Sequence, residues 1–188
     1  VAAPTAGYLV PAAHATWVAD KLRLHGIAFR ALPQPLTKQA VQAYRAEQAK
    51  PDAASTESHQ RLALQGRWGN ERRDLAAGAL FVPIAQAKAR LVAALLEPEA
   101  PDSFAAWGRF NNAFEAKEYM EPYVAEDVAR AQLAADPALA AQFRQKLADD
   151  PAFAKSPAAR LDFFYRRHAS WDEQLNLYPV LRTDRVPH

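Results

Sequence analysis

Residues 95–108 have the sequence Leu-Leu-Glu-Pro-Glu-Ala-Pro-Asp-Ser-Phe-Ala-Ala-Trp-Gly, and the pattern of the chain changes at this stretch. Pro98 and Pro101 lack a backbone donor and disfavour helical geometry in the residue before them, so a preceding helix must end here. Asp102 or Ser103 can then cap a new helix through a side-chain oxygen. The patterns before the stretch indicate strands alternating with helices, and those after it indicate helices.

The N-terminal part contains the pattern of a β-α-β unit. Residues 7–10 are a short apolar run that ends at a proline, and His14, Val18, Leu22 and His25 then recur at helical spacing before Gly26. Residues 27–32 then alternate apolar with small or charged side chains, as a half-buried strand does. Residues 78–83 repeat the first run and precede a second amphipathic helix. We therefore expect a small sheet with helices packed on it.

The segment between these units is less distinct. Residues 41–45 fit either a strand or a short helix, and residues 50–58 have the polar composition of a loop. Residues 61–68 alternate enough to form one strand of a hairpin.

Beyond residue 102, apolar residues recur at helical spacing. The segments concerned are Phe104 to Phe114, Val124 to Ala131, Leu139 to Leu147 and Leu161 to His168. Two dipeptides, Asp136-Pro137 and Ser156-Pro157, each place a capping side chain directly before a proline at the first helical position. Residues 171–182 are aromatic and contain proline, which indicates a segment packed over the domain.

These patterns predict a mixed α/β fold in a single domain over residues 1–188. Its α/β part covers residues 7–97, its helical part residues 102–170, and residues 171–188 form a packed tail. The proline-rich stretch between the two parts is too short and rigid to be a flexible linker, so we expect one folding unit.

Composition excludes several classes of function. The 23 basic and 21 acidic residues give a net charge of only +2 and are interspersed, which argues against a nucleic-acid partner. No apolar run approaches the roughly 20 residues that span a bilayer, so no membrane span is expected. The chain has no cysteine, so disulfides and thiolate chemistry are absent.

The sequence shows no catalytic or metal-binding motif. Its five histidines include no His-x-x-Glu or His-Glu-x-x-His pair, so we expect no metal site and no cofactor in this chain. Ser103 lacks the flanking glycines of a nucleophile elbow, and Gly66 and Gly69 lack the spacing of a phosphate-binding loop. No catalytic residue is predicted.

A candidate functional surface can still be named. Glu115, Glu118 and Tyr119 would share one face of a helix within an acidic run, which could bind a cation or a basic partner. A solvated charged face is the alternative interpretation. Trp107 belongs to an aromatic face that could line a ligand groove or pack in the core. The full candidate set is Glu97, Asp102, Trp107, Glu115, Glu118 and Tyr119.

Several ordered segments carry a resemblance to a known family. They are Gly7-Tyr8-Leu9-Val10-Pro11; Leu95-Leu96-Glu97-Pro98 with Asp102-Ser103 and Trp107-Gly108; Lys117-Glu118-Tyr119; Arg160-Leu161-Asp162-Phe163-Phe164-Tyr165; and Leu177-Tyr178-Pro179-Val180. Together they resemble the C-terminal region of large bacterial zinc carboxypeptidase-like proteins of the carboxypeptidase A type. The resemblance extends over most of the chain.

The resemblance implies an indirect function. In such proteins a catalytic domain precedes this region and supplies the zinc through a His-x-x-Glu pair and a later histidine, none of which this chain contains. The parent protein would hydrolyse peptides from their C-terminus with zinc-activated water, and this segment would be its non-catalytic accessory domain. The implied partners are the upstream catalytic domain of the same polypeptide and a peptide substrate. The implied location is periplasmic or extracellular.

Two other classes of function remain open. The chain could be a freestanding peptide- or protein-binding module, or an enzyme whose site is assembled from scattered side chains. Because the sequence starts at Val1 with a small-residue segment, we expect it to be part of a longer protein.

Overall fold

A computed structural model describes residues 3–116 and 120–187, and the chain divides into two compact units. The first unit contains residues 1–115 together with residues 174–188, and the second contains residues 116–173. The predicted mixed α/β class is confirmed, because strands and helices both contribute substantially. That the whole chain folds as a single domain stays a prediction.

The first unit is built on a six-stranded sheet in which every neighbouring pair is antiparallel. The strands are β1 (Gly7–Val10), β2 (Arg30–Ala31), β3 (Leu36–Pro51), β4 (Leu62–Leu75), β5 (Leu80–Pro83) and β6 (Leu181–Thr183). Their order across the sheet is β2-β5-β1-β6-β3-β4. Helix α1 (Ala12–Leu24) follows β1, and helix α2 (Ala89–Leu96) follows β5.

The long β3–β4 hairpin is an addition to a simpler arrangement. Without it, and without the helices that the chain forms between α2 and β6, the chain runs β1-α1-β2-β5-α2-β6, and the sheet order is β2-β5-β1-β6. This is the double split β-α-β arrangement called ferredoxin-like. The hairpin pairs with β6, extends the sheet on that side and leaves β4 at its edge.

Each face of the sheet carries an apolar cluster. The larger cluster joins side chains of β1, β3, β4 and β5 to Val18 and Leu22 of α1 and to Val92 and Leu96 of α2. The smaller cluster, on the opposite face, includes Leu9, Ala43, Phe81 and Leu181, and Leu32 and Leu75 belong to it as well. Burying both faces fixes the register, because a one-residue slip would exchange every side chain between the two clusters.

Most elements of the first unit follow the sequence patterns. The predicted strand over residues 27–32 is reduced to the two residues of β2, and residues 41–45 belong to a strand rather than a helix. The hairpin predicted from residues 61–68 is much longer than expected, because β4 continues to Leu75. The polar loop predicted over residues 50–58 is displaced: residues 50 and 51 end β3, and residues 52–61 form the hairpin connection.

The helix predicted over residues 104–114 is wrong. These residues form successive turns and a short 3₁₀ helix, Asn111–Ala113. Gly108 explains the difference, since its φ of 70° lies in the left-handed region and the position of a Cβ would be 2.1 Å from the carbonyl oxygen of Gln60. The Ser103 hydroxyl accepts from the backbone N–H of Ala106 as a cap would, but it closes a turn and not a helix.

The second unit consists of four helices separated by prolines. They are α3 (Pro122–Ala135), α4 (Pro137–Asp149), α5 (Pro151–Lys155) and α6 (Pro157–Tyr165). The two predicted caps are confirmed: Asp136 accepts from two backbone N–H groups of α4, and Ser156 accepts from one of α6. On α3 the buried side chains are Ala125 and Ala129, so the face predicted from Val124 is displaced by one residue.

None of the helices within residues 3–116 and 120–187 is long and apolar enough to cross a membrane.

Candidate functional site

The most unusual feature of the first unit is a buried group of polar side chains at the C-terminal end of α2. We call it the Glu97 cluster; its members are Tyr8, Glu97, Tyr178 and Arg182. Glu97 follows the last residue of α2, and Tyr8 and Arg182 lie directly opposite each other on β1 and β6. The fold therefore brings together residues from both ends and the middle of the chain.

Glu97 is fully engaged within this cluster. Its Oε1 accepts hydrogen bonds from the Tyr8 hydroxyl at 2.5 Å and from Nε of Arg182 at 2.8 Å, and its Oε2 accepts from Nη2 of Arg182. The Tyr178 hydroxyl donates to the backbone carbonyl of Leu96 at 3.0 Å. The side chains of Glu97 and Arg182 are 10% and 6% exposed, so the pair is removed from water.

A second carboxylate extends the network toward the edge of the sheet. Oε1 of Glu99 accepts from the Tyr44 hydroxyl at 2.6 Å and from the backbone N–H of Gly66 at 3.1 Å. The guanidinium of Arg182 lies 4.1 Å from the centre of the Trp68 ring, and Tyr44 meets the same ring edge to face. The Arg182 side chain is therefore enclosed by a carboxylate on one side and an aromatic ring on another.

This environment suppresses ionisation of three phenols, Tyr8, Tyr44 and Tyr178, which we call the buried tyrosines. Burial is the main cause that raises the pKa of each above its ordinary value. Hydrogen bonds to Glu97 and Glu99 raise the pKa of Tyr8 and Tyr44 further. The phenols therefore act as stable donors, and none is prepared to serve as a nucleophile or a general base at neutral pH.

A groove lies beside the Glu97 cluster, between α2 and β4. It has a volume of about 520 Å³ and is walled by Trp68 and Gly66 on β4, by Ala93 and Ala94 on α2, and by the proline-rich residues 97–101. Arg90 of α2 also lines it. Most of the lining is apolar, and its charged residues are Arg90, Glu97 and Glu99.

A smaller cavity of about 300 Å³ lies elsewhere on the first unit. Asp102 and Trp107 line it, together with His25, His59 and Arg109. The Trp107 ring meets His59 edge to face, at 6.1 Å between ring centres, and Nη2 of Arg109 lies 3.4 Å from Nε2 of His59. His59 thus contacts both Trp107 and Arg109, so the geometry of these three side chains favours packing.

The structure separates the candidate residues predicted from the sequence. Asp102 and Trp107 share the smaller cavity, whereas Glu97 is buried in its own cluster and also lines the groove. Glu115 is exposed at the end of the first unit. Glu118 and Tyr119 lie outside the described residues.

Sequence reasoning missed Tyr8, Trp68, Arg90 and Arg182. One signal was present for Arg182, because a charged residue that directly follows the apolar residues 178–181 needs a partner if it is buried with them. Glu97, next to two leucines and a proline, is the matching acidic residue. For Trp68 and Arg90 the sequence offered no signal, since only the hairpin length places them together.

Among residues 3–116 and 120–187, no three His, Cys, Asp or Glu side chains are grouped so that they could hold a metal ion. His14 packs edge to face against Phe110 and Trp17, and burial lowers its pKa. The buried carboxylate of Glu97 already accepts hydrogen bonds from Arg182 and Tyr8. These donor sets do not fit a catalytic zinc, which needs three protein ligands and an open position.

Comparison of the chain with family models, with curated proteins and with solved structures found no match.

Proposed function

We propose that this chain is the C-terminal accessory domain of a zinc-dependent metallocarboxypeptidase-like protein and is not itself catalytic. One observation supports this proposal. Three of the segments that carry the resemblance, around Tyr8, Glu97 and Tyr178, are far apart in sequence and meet at the Glu97 cluster. Sequence segments that define a fold are expected to come together in this way, with their side chains hydrogen-bonded to one another.

The chemistry of the cluster agrees with a supporting role. Glu97 accepts three hydrogen bonds from protein donors, and a substrate or water would have to displace one of them to reach the carboxylate. Zinc in the separate catalytic domain would activate the water that hydrolyses the peptide. What this chain contributes is a rigid unit built around a neutralised buried charge. A periplasmic or extracellular location belongs to the same proposal.

The test compares this chain alone with a longer version that includes the preceding catalytic domain. We measure zinc content after chelator washing and re-exposure to zinc, and the release of C-terminal residues from peptides. The chain alone is expected to hold no zinc and release nothing, and the longer version to hold zinc and release C-terminal residues. Zinc binding with turnover by the chain alone would make it an enzyme, and a longer version without activity would refute the parent function.

A variant separates support from catalysis. In the longer version, Glu97→Gln is expected to lower the melting temperature and to leave kcat per bound zinc unchanged at temperatures where the protein is folded. A loss of kcat in the folded variant would give Glu97 a role in the reaction.

The second candidate is a peptide- or protein-binding module without catalysis. The groove beside Trp68 and Arg90 favours it, because it is concave and apolar and lies at an unpaired sheet edge. If this candidate is right, the groove binds peptide whether or not a peptidase precedes the chain.

A further inference from the structure

The outer backbone edge of β4 is hydrogen-bonded in the first half of the strand and open in the second half. In the first half the outer edge is covered by the chain itself: the N–H of Leu62 donates to the carbonyl of Ala106, and the N–H of Gly66 donates to Glu99. These bonds show that the even-numbered residues of β4 direct their backbone groups away from β3. The second half, from residue 67 onward, is the edge of the sheet.

The pairing of β3 gives the same result independently. Tyr44 accepts through its carbonyl from the N–H of Tyr178, and Ala46 donates to the carbonyl of Asn176, so both direct their backbone groups away from β4. Their partners across the hairpin are Trp68 and Gly66. In an antiparallel pair, the backbone N–H and C=O groups of two opposite residues either point toward each other or both point away. The backbone groups of Trp68 therefore face outward.

Continuing with the period of two, Asn70 and Arg72 also present their N–H and C=O groups at the outer edge. Within the described part of the chain, no further backbone group pairs with these three residues. Gly69 and Asn70 are exposed. Edge strands of this length are usually covered or interrupted, and here only the first half is.

The groove lies next to this open edge. Trp68 projects into it from β4, and α2 forms the opposite wall through Ala93 and Ala94. An extended chain added to β4 would direct every second side chain into the same space. The volume of about 520 Å³ is large enough for one or two apolar side chains.

The charges that line the groove indicate which peptide would be complementary to it. Both carboxylates that line the groove are bound, Glu97 to Arg182 and Tyr8, and Glu99 to Tyr44 and Gly66. No residue in the described part of the chain pairs with the guanidinium of Arg90, which lines the same groove. The charge left available is positive, so an acidic side chain is the complementary group.

We propose that the open edge of β4, from Trp68 to Arg72, binds an extended peptide as an additional strand. The peptide places an aromatic or large apolar side chain in the groove against Trp68, and a carboxylate two residues away at Arg90. This is the strand-addition mode of recognition, with affinity from backbone hydrogen bonds and specificity from alternate side chains. The site stands whether or not the chain belongs to a peptidase, because none of its residues takes part in the proposed hydrolysis.

The probe is a synthetic acetylated heptapeptide, Thr-Val-Phe-Thr-Glu-Val-Thr, with a fluorescent label at one end. Binding is measured by anisotropy, and the amide protons of Trp68, Asn70 and Arg72 are followed by hydrogen exchange. We expect saturable binding and slower exchange at these three amides. A second peptide, N-methylated at alternate residues so that it cannot pair with a strand, is expected to bind at least about tenfold more weakly.

Two variants test the site from the protein side. Asn70→Pro removes one outward donor and leaves the ladder with β3 intact, because proline is tolerated where the N–H faces out of the sheet. It is expected to weaken binding by up to about tenfold, the effect of one lost hydrogen bond, whereas the matched variant Asn70→Ala keeps the donor and the affinity. Arg90→Gln is expected to weaken binding of this peptide but not of the version with Gln in place of Glu.

The contrary outcomes are distinct. Absence of binding and of amide protection at millimolar peptide would overturn the proposal, as would equal affinity for the N-methylated peptide. Protection of the same three amides that rises with protein concentration alone would also overturn it, because the occupant would then be a second copy of this chain. Circular dichroism tests whether each variant is folded, and the N-methylated peptide tests the mode of binding without any substitution.

Discussion

Replacing one member of the Glu97–Arg182 pair should destabilise the protein strongly. In Glu97→Leu, the guanidinium of Arg182 keeps its position among apolar and aromatic groups and loses both of its hydrogen bonds to the carboxylate. In Arg182→Met, the carboxylate keeps only the hydroxyl of Tyr8. Each single variant therefore leaves a buried charge without its partner.

The burial of the pair sets the magnitude. With side chains 10% and 6% exposed, the pair belongs to the class in which removing one partner costs about 3–5 kcal/mol. In a chain of this size that corresponds to a fall in melting temperature of roughly 6–20 °C. The double variant Glu97→Leu with Arg182→Met leaves no unpaired charge. Its main cost is the Tyr8 hydroxyl left without an acceptor, about 1–3 kcal/mol.

The assay is urea unfolding followed by circular dichroism, with the four proteins of the double-mutant cycle measured together. Arg67→Met is the matched control, because Arg67 pairs with Glu47 on the surface, where the side chains are 80% and 55% exposed. That variant should change the free energy of unfolding by at most about 1 kcal/mol. Its small effect should disappear in about 1 M salt, whereas the effect of breaking the buried pair should persist.

Additivity would refute the reasoning. If the double variant loses as much stability as the two single variants together, the two side chains are not coupled and the buried pair does not hold α2 to the sheet. A single-variant loss no larger than that of Arg67→Met would have the same meaning.

Three further outcomes are expected. In a spectrophotometric titration the buried tyrosines should remain un-ionised in the folded protein near pH 10, because folding raises their pKa. The stability that they contribute is therefore present below about pH 10 and is lost as the pH rises further. Phenolate absorbance and unfolding should then appear together. Gly108→Ala should lower the free energy of unfolding by at least about 1 kcal/mol, while Gly69→Ala, with open space around it, should have little effect in the same urea experiment. Asp136→Ala should cost about 1 kcal/mol in the stability of the helical unit, measured by hydrogen exchange of the α4 amides, because two backbone N–H groups lose their acceptor.

The sequence patterns predicted best where a local rule was sufficient. A proline before or after an apolar run marked the ends of β1 and α2, and Asp136 and Ser156 marked helix starts through side-chain chemistry that acts within three residues. Local rules failed over residues 104–114. There an aromatic face at helical spacing was overridden by the close approach of Gly108 to Gln60, which is distant in sequence.

The candidate site depended on distances that no local pattern contains. Glu97 was named from the proline-rich stretch, but Tyr8 and Arg182 reach it only because β1 and β6 are neighbours in the sheet. The groove likewise requires a hairpin long enough to bring Trp68 beside α2. A sequence can indicate that a buried charge needs a partner, whereas the choice of partner is made by topology.

The position of β6 has a consequence for biosynthesis. This strand follows every other element in the chain, yet it pairs with β1 and β3 in the interior of the sheet. A nascent chain on the ribosome therefore displays two strand edges and the polar ends of Tyr8 and Glu97 until the last strand emerges. By then the entire helical unit has been synthesised and can fold through local contacts. Translation thus delivers helices α3 to α6 before the strand that completes the sheet, and the unfinished sheet is the stage at which a chaperone would be needed.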